Sequence, residues 1–130
     1  MPLTPAEQAR ATSTVLVVED DALTRFAMAG YLADRGWRVL QAACGEDART
    51  MLSAGDAIDL VFSDVEMPPG LSGIAPAHWV HARHPEVQMM LTSGVACMSG
   101  VPTDVCAQAS RFPKPYLCEA VAERIDALLA

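Results

Sequence analysis

The amino-acid sequence predicts an α/β protein built on a parallel sheet with helices on both faces. Short β-branched runs carry too few polar residues to face water on either side. Helical apolar periods stand between them, and the connections are roughly two to six residues long. Such alternation of strand and helix closes into a doubly wound parallel sheet through right-handed crossovers. The 130 residues are 52% hydrophobic and 19% charged, enough for one domain with its own core.

Residues 1–13, with Pro2, Pro5 and small polar side chains, predict a flexible arm ahead of a domain spanning 14–130. Thr14–Glu19 (TVLVVE) predicts the first buried strand. Leu23, Phe26, Ala27, Tyr31 and Leu32 then recur at helical spacing, and Gly36 is the natural stop. Arg38–Ala42 predicts a second strand. Gly45–Leu52 predicts a short helix with Ala48, Met51 and Leu52 on one face, closed by Gly55. Ile58–Ser63 is the third strand, and residues 64–73 form a loop rich in Pro and Gly. Ile74–His84 predicts a helix with Pro76 in its first turn, where proline is tolerated. Val87–Thr92 is the fourth strand, with Met89 and Met90 as core residues. Arg111–Phe112 sits in a short fifth strand, and Leu117–Leu129 is an amphipathic final helix. Between them, Val95–Ser110 is interrupted by Gly100 and Pro102 and predicts only a short or irregular helix.

A formal net charge of −7 repels nucleic acid and anionic lipid, which argues against direct DNA binding. The first residues have neither the basic start nor the apolar stretch of a signal peptide. No apolar run approaches the roughly 18 residues of a membrane span, so a soluble cytoplasmic protein without membrane contact is expected. Cys44, Cys97, Cys106 and Cys118 lack metal-binding spacing and read as reduced, packed thiols. His78 and His81 share a helical face without a further ligand and read as solvated.

In open parallel sheets, ligands bind beyond the carboxyl ends of the strands. Glu19, Asp20 and Asp21 follow the first strand and Asp64 the third. Thr92 or Ser93 ends the fourth, and Lys114 follows the fifth. Any one of these alone reads as a solvated turn residue. Together they put carboxylates, a hydroxyl and a lysine on one rim. Clustered carboxylates repel one another unless a cation sits among them, and Mg2+ suits an all-oxygen site. Such a set can bring a phosphoryl donor to a carboxylate and neutralise the charge in transfer.

The stretches VLVVEDD, DLVFSDVEMP, MMLTSG and FPKPY, in that order, resemble the receiver domains of bacterial response regulators, the CheY-like family, over about residues 14–130. The resemblance implies a five-stranded flavodoxin-like sheet of strand order 2-1-3-4-5. It implies that Asp64 accepts the phosphoryl group and that Glu19 and Asp20 hold Mg2+. Asp64 and the backbone carbonyl of Glu66 would complete the protein ligands. Lys114, before Pro115, would pair with the phosphate, with a cis peptide between the two. The hydroxyl falls on Ser93, with Thr92 as the alternative, since strand alternation lets only one face the site. Three positions before the lysine, Arg111 stands where receivers carry an aromatic switch residue, with Phe112 beside it. A guanidinium does not bury easily in that role, so a switch through Val95–Ser110 is expected instead.

The function so implied is a phosphorelay switch, not a turnover enzyme. It would be charged by a histidine kinase or a histidine phosphotransfer protein and act on a separate effector protein. A phosphorylation-independent pseudo-receiver is the alternative, weakened because no acidic, hydroxyl or lysine position is missing. An aspartate phosphatase of the haloacid dehalogenase type would place its nucleophile after the first strand, not the third.

Overall fold

In the structure, a computed structural model, residues 2–55, 57–64, 83–84, 86–93, 110–113 and 117–129 are described, with the side chains of 64, 93 and 110–113 excepted. Helix α1 (Pro5–Thr12) leads into β1 (Thr14–Val18), α2 (Ala22–Asp34), β2 (Arg38–Ala42), α3 (Gly45–Ser53) and β3 (Leu60–Asp64). Strands β4 (Gln88–Ser93) and β5 (Ser110–Pro113) and the C-terminal helix α4 (Cys118–Leu129) follow. All strand pairings are parallel, in the order β2-β1-β3-β4-β5. This is the predicted doubly wound sheet. The chain reverses its direction of winding between β1 and β3, and the crevice at such a switch point is where ligands bind.

All five residues of β1 are buried, as a central strand covered on both faces requires. Alternation sorts its side chains into two cores. Leu16 and Val18 join Val61, Met89 and Leu91 under Ala48 and Leu52 of α3. Val15 and Val17 join Leu60, Phe62 and Met90 under Met28 and Leu32 of α2 and Val121, Ala122 and Ile125 of α4. Met89 and Met90 are core residues, one in each layer.

The predicted stops of α2 and α3 are glycines in the left-handed region, Gly36 at φ 111° and Gly55 at φ 89°. A side chain at either position would strain the backbone.

Two expectations are corrected. Residues 5–12 form a helix rather than a loose arm. Thr4 accepts from the amide of Glu7, and the Glu7 carboxylate accepts from the amide of Thr4, a reciprocal capping box with Pro5 in the first turn. Arg10 then grips Asp126 of α4 with two hydrogen bonds of 3.0 and 2.7 Å, and its guanidinium lies 5.3 Å from the centre of the Trp37 ring. These long-range partners are invisible to local composition.

The second correction concerns α2, whose buried residues are Met28, Ala29 and Leu32, while Leu23 is 80% and Phe26 56% exposed. At about 100° per residue, Leu23 lies opposite Leu32 and Phe26 about 120° from it, so both point away from the layer that buries Met28, Ala29 and Leu32. Leu117, counted with the final helix, is also exposed, one residue ahead of α4.

The expected helix Ile74–His84, apart from its last two residues, and the segment Val95–Ser110, apart from Ser110, lie outside the described residues.

Candidate functional site

Strand register brings the chemical residues of the sequence to one edge. Val18, the last residue of β1, pairs with Ser63, so Glu19 and Asp64 stand at the same level on adjacent strands. Asp64 pairs with Thr92 in turn, and Ser93 with Pro113, the residue before Lys114. Neighbouring strands lie about 4.8 Å apart. The backbones of four strand ends thus line up within a few strand spacings.

The acidic turn after β1 is built by local hydrogen bonds. The Glu19 amide donates to the Ala42 carbonyl at 3.1 Å, carrying the β1–β2 pairing one residue past the strand. Glu19 is itself buried, 6% exposed, and its Oε1 accepts from the Asp21 amide at 3.1 Å. Asp21 caps α2, accepting from the Thr24 amide at 3.0 Å and from the Thr24 hydroxyl. Those bonds, hydroxyl first and amide second, together with the Arg25 charge, hold the Asp21 carboxyl below its ordinary range despite a small opposing desolvation. So of the three consecutive acids, Glu19 is tied inward, Asp21 serves the helix, and Asp20 is exposed at the rim.

Sequence reasoning missed Arg25. From the first turn of α2, its Nη1 donates to the Glu19 carbonyl at 2.8 Å, and its guanidinium lies 5.0 Å from the Phe26 ring centre. The cap had a legible signal, an Asp three residues before a Thr at the start of an apolar period. The Arg25 contact had none, because it depends on how the turn folds back.

Thr92 is fully buried, and its hydroxyl has no hydrogen-bond partner among the described residues, as is also true of Ser63. The side chains of Asp64 and Ser93, together with Glu66, Lys114, Pro115, His78 and His81, lie outside the described residues. For Arg111 and Phe112 only the backbone is described, paired with Leu91 and Thr92. Among the described residues no three acidic, histidine or cysteine side chains converge as a metal site.

A family model for the response regulator receiver domain matches residues 15–115. The chain belongs to the response regulator receiver family. The receiver is 31% identical over 122 residues to the sensor kinase CckA of Brucella abortus, covering 91% of this chain and 13% of that kinase. It spans well under two thirds of that relative's length. The crystal structure of the receiver domain from the hybrid histidine kinase CckA superposes with a TM-score of 0.72 at 30% identity, covering 91% of this chain and all of that one. A CheY-like receiver from Methanospirillum hungatei superposes at 0.81 with 20% identity, covering 90% of this chain and 93% of that one, and so speaks for the fold alone. The matched span begins at β1, so α1 lies outside it. No helix among the described residues is long and apolar enough to cross a membrane. Receivers as a family belong to two-component signalling, and they are switches rather than turnover enzymes.

Proposed function

We propose that this receiver accepts a phosphoryl group on Asp64 from a phosphohistidine of a histidine kinase or phosphotransfer protein, with Mg2+, and thereby changes its affinity for a separate effector protein. The observation that carries the reading is the register of the strand ends, with Glu19 and Asp20 beside Asp64 at the switch point of the sheet. In the transfer, an Asp64 carboxylate oxygen forms a bond to phosphorus as the P–N bond of the donor breaks. The electron pair of that bond returns to the imidazole nitrogen.

The donor set suits a hard cation. It consists of carboxylates and a backbone carbonyl, oxygen ligands throughout, with Asp20 open to solvent and Glu19 close by. Asp20, Asp64 and the Glu66 carbonyl would hold Mg2+, with Glu19 supporting. When bound, the metal would neutralise charge on the phosphoryl oxygens. Lys114, directly after β5, would pair with the same oxygens. Ser93 would supply the hydroxyl, with Thr92, which pairs with Asp64 in register and whose buried hydroxyl has no partner among the described residues, as the alternative. The exposed Leu23 and Phe26 flank the acidic turn and suit an apolar docking patch for the donor protein.

Intact mass after incubation with a small-molecule phosphodonor tests the reading. The wild type should gain one phosphoryl group in Mg2+ and none in excess chelator, and Asp64→Asn should gain none in either. A mass gain that persists in Asp64→Asn rules out the acceptor. No gain in the wild type favours a phosphorylation-independent interaction domain.

A further inference from the structure

We propose that Arg25 is a positioning residue for the acidic turn, fixing the peptide that carries Asp20 so that its carboxylate is presented to the cation. The inference rests on the metal reading above. The contact is specific, since Arg25 Nη1 donates to the Glu19 carbonyl at 2.8 Å. That carbonyl belongs to the peptide plane between Glu19 and Asp20, so holding it sets the direction in which Asp20 leaves the backbone. The other ends of the turn are already tied. The Glu19 amide is bound to Ala42, Glu19 Oε1 to the Asp21 amide, and Asp21 to Thr24. Arg25 closes the remaining freedom with a charge-assisted bond.

Its own backbone is pinned as well, because its amide donates to the Asp21 carbonyl at 2.9 Å in the first turn of α2. The half-buried guanidinium rests against the Phe26 ring at 5.0 Å, which limits its rotamers. Arg25 is therefore a preorganised strut rather than a loose surface charge.

Two effects of Arg25 on a cation have opposite signs. As a positive charge near the rim it would weaken binding, whereas as a strut it strengthens binding. The side chain is spent on a carbonyl and screened by solvent, so the strut dominates.

Calorimetric titration of the full chain with Mg2+ alone separates them. Arg25→Met should weaken binding roughly tenfold, the size of one lost hydrogen bond to a charged group. Arg25→Lys keeps the charge but lacks the planar fork, and should weaken binding less. In both variants the Asp21 amide, which reports order in the turn, should exchange faster in the absence of metal. Arg25→Met binding Mg2+ as tightly as the wild type, or more tightly, would overturn the proposal. Should Arg25→Met fail to fold, unchanged affinity and unchanged Asp21 exchange in Arg25→Lys would overturn it equally. A wild type that binds no Mg2+ would instead sink the metal reading on which the proposal rests.

Discussion

At the residue scale, the acidic turn divides its labour by hydrogen bonding rather than by residue type. Asp21 is a helix cap with a depressed carboxyl pKa, caused first by the Thr24 hydroxyl and then by the Thr24 amide. Since the folded value lies below the unfolded one, its contribution to stability is present at neutral pH. That contribution is fully present above the ordinary carboxylate range of about pH 4 and is lost as pH falls through the lower, folded value. Asp21→Asn keeps a cap that can accept from Thr24 but cannot titrate. Its melting temperature should therefore fall less steeply than the wild type's between pH 5 and about pH 3, in thermal melts across that range. Parallel curves would remove Asp21 from the acid response. In the core, Met90 of β4 is fully buried in the layer shared with α2 and α4. Met90→Ala should cost about 2–5 kcal/mol, read as a lower urea midpoint at unchanged slope.

At the element scale, α1 is the addition to the sheet that the family match does not span. It packs at the end opposite the acidic rim, since Trp37 opens β2 from its amino end and Asp126 lies near the finish of α4. The Arg10–Asp126 pair is only partly buried, with side chains 17% and 32% exposed, so its worth is modest. A double-mutant cycle of Arg10→Ala and Asp126→Ala should give a coupling of about 0.5–1 kcal/mol. Arg10→Ala should cost more than that coupling, because the Trp37 contact is lost too. A coupling near zero would reduce α1 to a passive appendage. Helix α2 carries a different prediction. Phe26→Ala and Leu23→Ala should slow phosphoryl transfer from a phosphohistidine protein by several-fold, since interface apolar anchors dominate docking. Leu23→Ala should leave labelling by a small-molecule donor unchanged, since that donor needs no docking surface. Equal slowing of Leu23→Ala with both donors would place this residue in the chemistry instead.

At the scale of the whole molecule, a cation held only by the native rim stabilises the fold by linkage. Mg2+ at about a hundredfold its dissociation constant should add about 2.7 kcal/mol, measured by chemical denaturation with and without the ion. Asp20→Ala should remove most of that increment. Its own stability without metal should change little, because the Asp20 side chain is exposed to solvent. An undiminished increment would move the site elsewhere.

The amino-acid sequence by itself determined the layers of this protein. The strand cores of β1, β3 and β4 are legible as the short apolar runs VLVV, LVF and MML, and Gly36 and Gly55 mark stops that only glycine makes cheaply. The placing of Glu19, Asp20 and Asp64 at strand ends was equally legible, because in a parallel sheet every strand delivers its last residue to the same edge. Tertiary structure decided what depends on contacts between distant residues. The helix of residues 5–12 starts from a local capping box at Thr4 and Glu7, but its docking on α4 depends on Arg10 finding Asp126 across 116 positions of chain. Leu23 and Phe26 remain exposed because they stand on the side of α2 turned away from Met28, Ala29 and Leu32, and which side of an apolar helix meets the sheet is decided by packing. The division of Glu19, Asp20 and Asp21 into tether, open carboxylate and cap followed from the fold of a turn closed by Arg25, and no local propensity specifies that geometry.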